Sequence, residues 1–149
     1  MERIAAFVND AAHARHLLQP MLSAAGPTHW ILVACPPRLT RHVGRWVSQP
    51  ARRAWRERWG DQLLGQLAPD LASRSGSQVE RLVAHRPLVE VSARLMTRFP
   101  GLRLLDARRP LLGKSDEPLT VSQPPGDTSR WAGTVAAASG LAAALALAD

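Results

Sequence analysis

Two short apolar runs, Ile4 to Val8 and Trp30 to Cys35, contain no charged residue, while the stretch between them follows a longer period. A continuous apolar run of this length, closed by turn-forming residues, reads as a strand buried on both faces. The first run stops at Asn9-Asp10, whose side-chain oxygens suit a helix cap; the second stops at Pro36-Pro37. Between them, Ala14, Leu17, Leu18, Met21, Leu22 and Ala25 share one helical face, predicting a helix that Pro20 kinks and Gly26-Pro27 ends. Further on, Pro50 suits a helix first turn with Ser48 or Gln49 as cap, and the helix is expected to run to about Ala68, where Pro69 breaks or kinks it. Gln78 to Val83 reads as a third strand. Pro87 opens a helix whose Leu88, Val91, Leu95 and Phe99 lie on one face, Pro100-Gly101 closes it, and Leu102 to Leu105 forms a fourth strand ending at Asp106.

The order of elements is β-α-β-α-β-α-β. Helices between successive strands imply a parallel sheet covered on both faces, hence a doubly wound, Rossmann-like α/β fold. Residues 1–149 are expected to form a single domain, and the turn-rich, polar stretch from about 113 to 130 to be a loop. The run from Trp131 to Ala148 carries no charge and reaches the length of a membrane span, roughly 18 residues. It is mostly alanine with Gly133, Thr134, Ser139 and Gly140 inside it, which favours a buried helix, or helix plus strand, over an anchor. The N-terminus shows no long apolar region with a cleavage pattern, so the expected location is cytoplasmic.

Composition narrows the chemistry. The only cysteine, Cys35, excludes an internal disulfide and any multi-cysteine metal site, and fits a reducing compartment. The net charge is +7, and Lys114 is the only lysine among 19 basic residues. Because an arginine- and alanine-rich composition also arises from coding bias, the distribution of charge says more than its size. From Arg38 to Arg58 there are seven arginines against one acid, Glu57.

That basic region holds "RWVSQPARRAWRERWGDQL", residues 45–63, which serves two readings. As a helix, it places Ala51, Trp55, Trp59, Leu63 and Leu67 at successive i+4 positions, a stripe that normally faces a core, with Arg52 and Arg56 lying beside the indoles. The leucines that continue the stripe favour this inward reading. The alternative is a nucleic-acid surface, with indoles stacking on bases and Arg45, Arg52, Arg53 and Arg56 neutralising phosphates. A dimer surface lies between the two.

Open parallel sheets bind ligands beyond the carboxyl ends of their strands. Here those ends carry Asn9 and Asp10, then Cys35, then His85 and Arg86, then Asp106 to Arg109, with Lys114 further on. Amides at the start of the first helix, together with Arg108, Arg109 and Lys114, suit a small anionic ligand; solvated loop charges are the competing explanation. His13 and His16 lie three apart with too few spaced partners for a metal site. Cys35 is read as a small buried residue before a nucleophile. No GxSxG, GxGxxG or GxxxxGK[ST] motif is present, so nothing points to catalysis.

The stretches "RIAAFVNDAAHARHLLQPML" and "VERLVAHRPLVEVSARLMTRFPGLRLLDARR" resemble the universal stress protein family: the first its opening strand, acidic turn and first helix, the second its third strand, third helix and fourth strand. The resemblance implies a sheet of four to five strands, the fifth formed by "LAAALALAD", through which members often pair as homodimers. It also implies a carboxylate after the first strand for adenine and a glycine-rich phosphate loop after the fourth. This chain has Asn9 at the first position, with Asp10 adjacent, and in the loop only Gly113 and Gly133-Thr134 resemble the family. The expectation is a non-enzymatic stress-response or regulatory module with weak or absent ATP binding. Adenine nucleotide is the one cofactor to test, and Thr134 joins Arg108, Arg109 and Lys114 as side chains able to hold phosphate.

Overall fold

The structure is a computed structural model that describes residues 1–24, 26–38, 45–73, 76–110, 117–121 and 131–132. Strands β1 (Glu2–Val8) and β2 (Thr28–Ala34) coincide with the two apolar runs, and from Ile4 to Val8 and from Trp30 to Ala34 no residue is more than 2% exposed. Helix α1 (Ala11–Ala24) starts where the Asp10 carboxylate accepts the His13 amide at 2.9 Å, and it carries Pro20 within it. Helix α2 (Gln49–Ala72) has Ser48 as its cap, the hydroxyl accepting from the Ala51 amide at 3.3 Å, with Pro50 in the first turn where a missing amide hydrogen costs nothing. Strand β3 (Gln78–Val83) and helix α3 (Leu88–Arg98) follow. Gly101, at φ 76°, makes the left-handed turn that delivers the chain into β4 (Arg103–Asp106).

The strand order is β3-β2-β1-β4-β5, where β5 is the pair Trp131–Ala132. The first four strands are mutually parallel, and β5 runs antiparallel to β4. The α/β fold with a mostly parallel sheet is therefore as the sequence led us to expect. Period-two alternation divides the core. Ile4, Ala6, Val8, Trp30 and Leu32 pack with Leu17, Leu18 and Met21 of α1 and Leu63, Leu64, Leu67 and Leu71 of α2. Ala5, Phe7, Ile31 and Val33 pack with Leu88, Val91 and Leu95 of α3.

The strands start or end within two residues of the sequence expectation, and the largest difference is at the end of α2. Helix α2 does not stop at Pro69 but continues to Ala72. A proline inside a helix costs about 3 kcal/mol, but the turn beyond it carries Leu71, 1% exposed against the core, and Asp70, paired with Arg15 of α1 at 2.7 Å. Tertiary packing thus retains the last turn. Of the polar loop only residues 117–121 are described, and the proposed fifth strand "LAAALALAD", Ala25, Lys114 and Thr134 lie outside the described residues. Among the described residues no helix is long and apolar enough to cross a membrane; the Trp131 to Ala148 run lies almost entirely beyond them.

Candidate functional site

Parallel strands gather their carboxyl ends along one margin of the sheet, and the order reverses between β1 and β4. That switch point is where a ligand crevice forms in such sheets. Here the chain fills it with its own groups. Asn9 follows β1 and Arg109 lies three residues beyond β4. The Arg109 amide donates to Asn9 Oδ1 at 2.6 Å, and Asn9 Nδ2 donates to the Arg109 carbonyl at 3.2 Å. Next to them Asp10 caps α1, with its second oxygen 3.7 Å from Arg109 Nη1. The His13 amide hydrogen bond, aided by the charge of Arg109, holds the Asp10 carboxyl below its ordinary 3.8 against the opposing effect of desolvation.

Arg108 turns the other way. It meets Asp106 in a two-pronged pair, Nε to Oδ1 and Nη2 to Oδ2 each at 2.9 Å, with side chains only 6% and 10% exposed. Its Nη2 also donates to the Glu117 carbonyl at 2.6 Å. The Glu117 carboxylate in turn accepts the Leu88 amide at 2.9 Å, serving as the cap that Pro87 cannot supply to α3, and takes Arg38 Nη2 at 2.8 Å. Leu119, fully buried, fastens this segment to the α3 side of the core.

Side chains of α2 approach the ends of β2 and β3. Arg56 donates from Nε and Nη2 to the carbonyl of Ala84, and Glu57 Oε1 lies 2.6 Å from His85 Nε2. Burial lowers the Arg56 pKa from its ordinary value, though a guanidinium has so much reserve that it stays charged. Cys35 is partly buried against the α3 side of the core; its thiol lies 3.6 Å from the Val33 carbonyl and is pushed up to about 12, chiefly by desolvation. Such a thiol is protonated at neutral pH, so it is not an activated nucleophile.

The structure therefore brings Asn9, Asp10 and Arg109 together and sets Arg108 and Cys35 in a neighbouring network. Asp106, Glu117 and Arg38 are members of that network that the sequence reading did not single out as site residues. The Asp-x-Arg spacing of Asp106 and Arg108 was a usable signal; Glu117 offered none, because its partners are 29 and 79 residues away. On the basic surface Arg52 Nε donates to the Val47 carbonyl at 3.2 Å and Arg56 is tied to Ala84, whereas Arg45 and Arg53 are exposed. Trp55 and Trp59 are half-buried, with Trp59 against the core. An open groove of 310 Å³ lies between α1 and α2, lined by Arg15, Leu22, Leu67 and Asp70 among others, away from the strand ends. Among the described residues no three or more His, Cys, Asp or Glu side chains gather to hold a metal.

No family model, curated protein or solved structure matches the chain. The chemistry of the site accordingly rests on its own residues: capped helices, paired charges and a protonated thiol.

Proposed function

We propose that the protein is a non-enzymatic regulatory module of the universal stress protein type, acting in a cytoplasmic stress response as a homodimer, with weak or absent ATP binding. The observation that carries this reading is the mutual engagement of Asn9, Asp10 and Arg109 at the strand switch point. A nucleotide phosphate approaching the start of α1 meets the Asp10 carboxylate, a like charge, and an Asn9 side chain already committed to the backbone of Arg109. Pro110, Pro118, Pro124 and Pro125 remove amide hydrogens from the segment in which the family places its phosphate loop. Calorimetric titration with ATP, AMP and inorganic phosphate tests the proposal. Low-micromolar ATP affinity that disappears in Asp10→Ala and Thr134→Ala would overturn it; sedimentation velocity tests the dimer.

A second reading has its own support. Arg45, Arg53 and Arg58 are exposed at and beyond the start of α2. The first turn of that helix carries no acid. This favours contact between the region around Arg38 to Arg58 and a nucleic acid, through phosphates and without base-edge readout.

A further inference from the structure

We infer that Trp46 is a stacking platform for an unpaired base, so that the basic end of α2 grips single-stranded nucleic acid in preference to duplex; the inference rests on the second reading above. Trp46 is 84% exposed, whereas Trp30 is 1% exposed and Trp55 and Trp59 are half-buried. Tryptophan is on average a highly buried residue, and an exposed indole beside arginines presents a flat apolar face on which a base can stack. The core makes little use of this one.

The backbone that presents Trp46 is anchored. Arg52 of α2 donates from Nε to the Val47 carbonyl at 3.2 Å and from its amide to the Ser48 carbonyl at 3.0 Å, and the Ser48 hydroxyl takes the Ala51 amide. The turn carrying the indole is thereby fixed to the first turn of α2, which lowers the ordering cost of stacking on it. Along the chain its charged neighbours are basic. Arg45 adjoins Trp46, Arg53 lies on the second turn of the helix, and both are exposed. The nearest acid along the chain, Glu57, has its carboxylate 2.6 Å from His85, directed toward β3.

The partner follows from this chemistry. Arginines spaced along a helix end neutralise phosphates, and an indole face stacks on a base of any identity. In a duplex the base faces are already covered by their neighbours, so only an unpaired strand engages both elements. A second copy of the chain would bring one arginine-rich surface against another.

The test uses the full chain with an unlabelled oligothymidine of roughly fifteen nucleotides and with a duplex of the same length, at about 50 mM salt. The expected result is quenching of tryptophan emission by the single strand, with weaker binding and little quenching by the duplex. Trp46→Phe retains binding and loses most of the quenching, while Trp46→Ala weakens single-strand binding roughly 5- to 150-fold. Arg45→Ala with Arg53→Ala lowers the slope of log affinity against log salt by about 1.4. Equal binding of single strand and duplex, unchanged in Trp46→Ala, overturns the stacking role and leaves the basic-surface reading standing. Failure of every variant and the wild type to bind either nucleic acid overturns both. Trp46 quenching by anionic vesicles, or its shielding on dimerisation, without any response to the oligonucleotide, also overturns the inference.

Discussion

Asn9 and Arg109, 100 residues apart in sequence, hold each other by two hydrogen bonds across the β1–β4 switch point, the Asn9 side chain acting as acceptor and donor to one backbone unit. Only an amide side chain offers both at this geometry. Asn9→Ala removes both bonds and is expected to cost about 1–3 kcal/mol, at 0.5–1.5 for each. Asn9→Asp keeps the acceptor but turns an anion toward the Arg109 carbonyl, so it too destabilises, and it brings no gain in ATP binding. Urea denaturation and calorimetry read the two effects separately.

The Asp106–Arg108 pair is enclosed, so its two charges depend on each other. Arg108→Ala strands a carboxylate among buried groups and also deprives the Glu117 carbonyl of its donor; the expected loss is about 3–5 kcal/mol. Replacing both members with apolar residues of similar size, Asp106→Leu with Arg108→Met, removes the stranded charge and is expected to cost less than the single substitution. A double variant as unstable as Arg108→Ala would show that the pair matters through contacts other than its charges. Chemical denaturation of the single and double variants decides it.

The legibility of this chain varied with how local each signal was. β1 and β2 were plain because unbroken apolar runs have few other places to go, and β3 was plain because Gln78 and Val83 are bounded by turn residues. Pro69 misled because propensity is local, whereas the Leu71 contact that retains the final turn is tertiary. The indole stripe of α2 was half legible: its leucines do enter the core, but Trp55 and Trp59 lie only partly covered where the helix meets the sheet margin. Position along the chain put Asn9 and Asp10 on the same sheet margin as Cys35, His85 and Asp106 to Arg109, without saying which of them meet. That Asn9, Asp10 and Arg109 would satisfy one another depends on side-chain directions that no spacing encodes. The two-residue β5 is too short to show a period.

Gly60 and Gly65 lie in the same helix and predict opposite outcomes. A Cβ at Gly60 would overlap Cγ2 of Val83 on β3, while at Gly65 it would meet nothing within 4 Å. Alanine in a helix gains about 0.5–1 kcal/mol over glycine, so Gly65→Ala should raise stability by that amount. Gly60→Ala should lower it, because overpacking of about 1–3 kcal/mol exceeds the gain. Adding Val83→Ala clears the space, and the double variant should lose less than the sum of the two single losses. Thermal melts of the four variants give the comparison.

The alkaline limb of stability should report on Cys35. Its thiol is raised from 9.0 to about 12 in the folded chain, chiefly by burial. Below pH 9 both folded and unfolded states keep the proton, and the stabilising difference is fully present. Between pH 9 and 12 the unfolded chain releases the proton and the folded chain retains it, so stability falls as pH rises, by at most about 1.4 kcal/mol per unit. Few other groups obscure the slope, because the sequence has no tyrosine and one lysine, Lys114. Cys35→Ala should flatten this limb while leaving the acid limb, to which Asp10 contributes, unchanged. The same burial predicts that a disulfide reagent labels Cys35 slowly at pH 8 and rapidly once urea unfolds the chain. Fast labelling of the native protein, with an alkaline limb identical in Cys35→Ala, would mean that the thiol is open to solvent and that the end of β2 is accessible to a ligand after all.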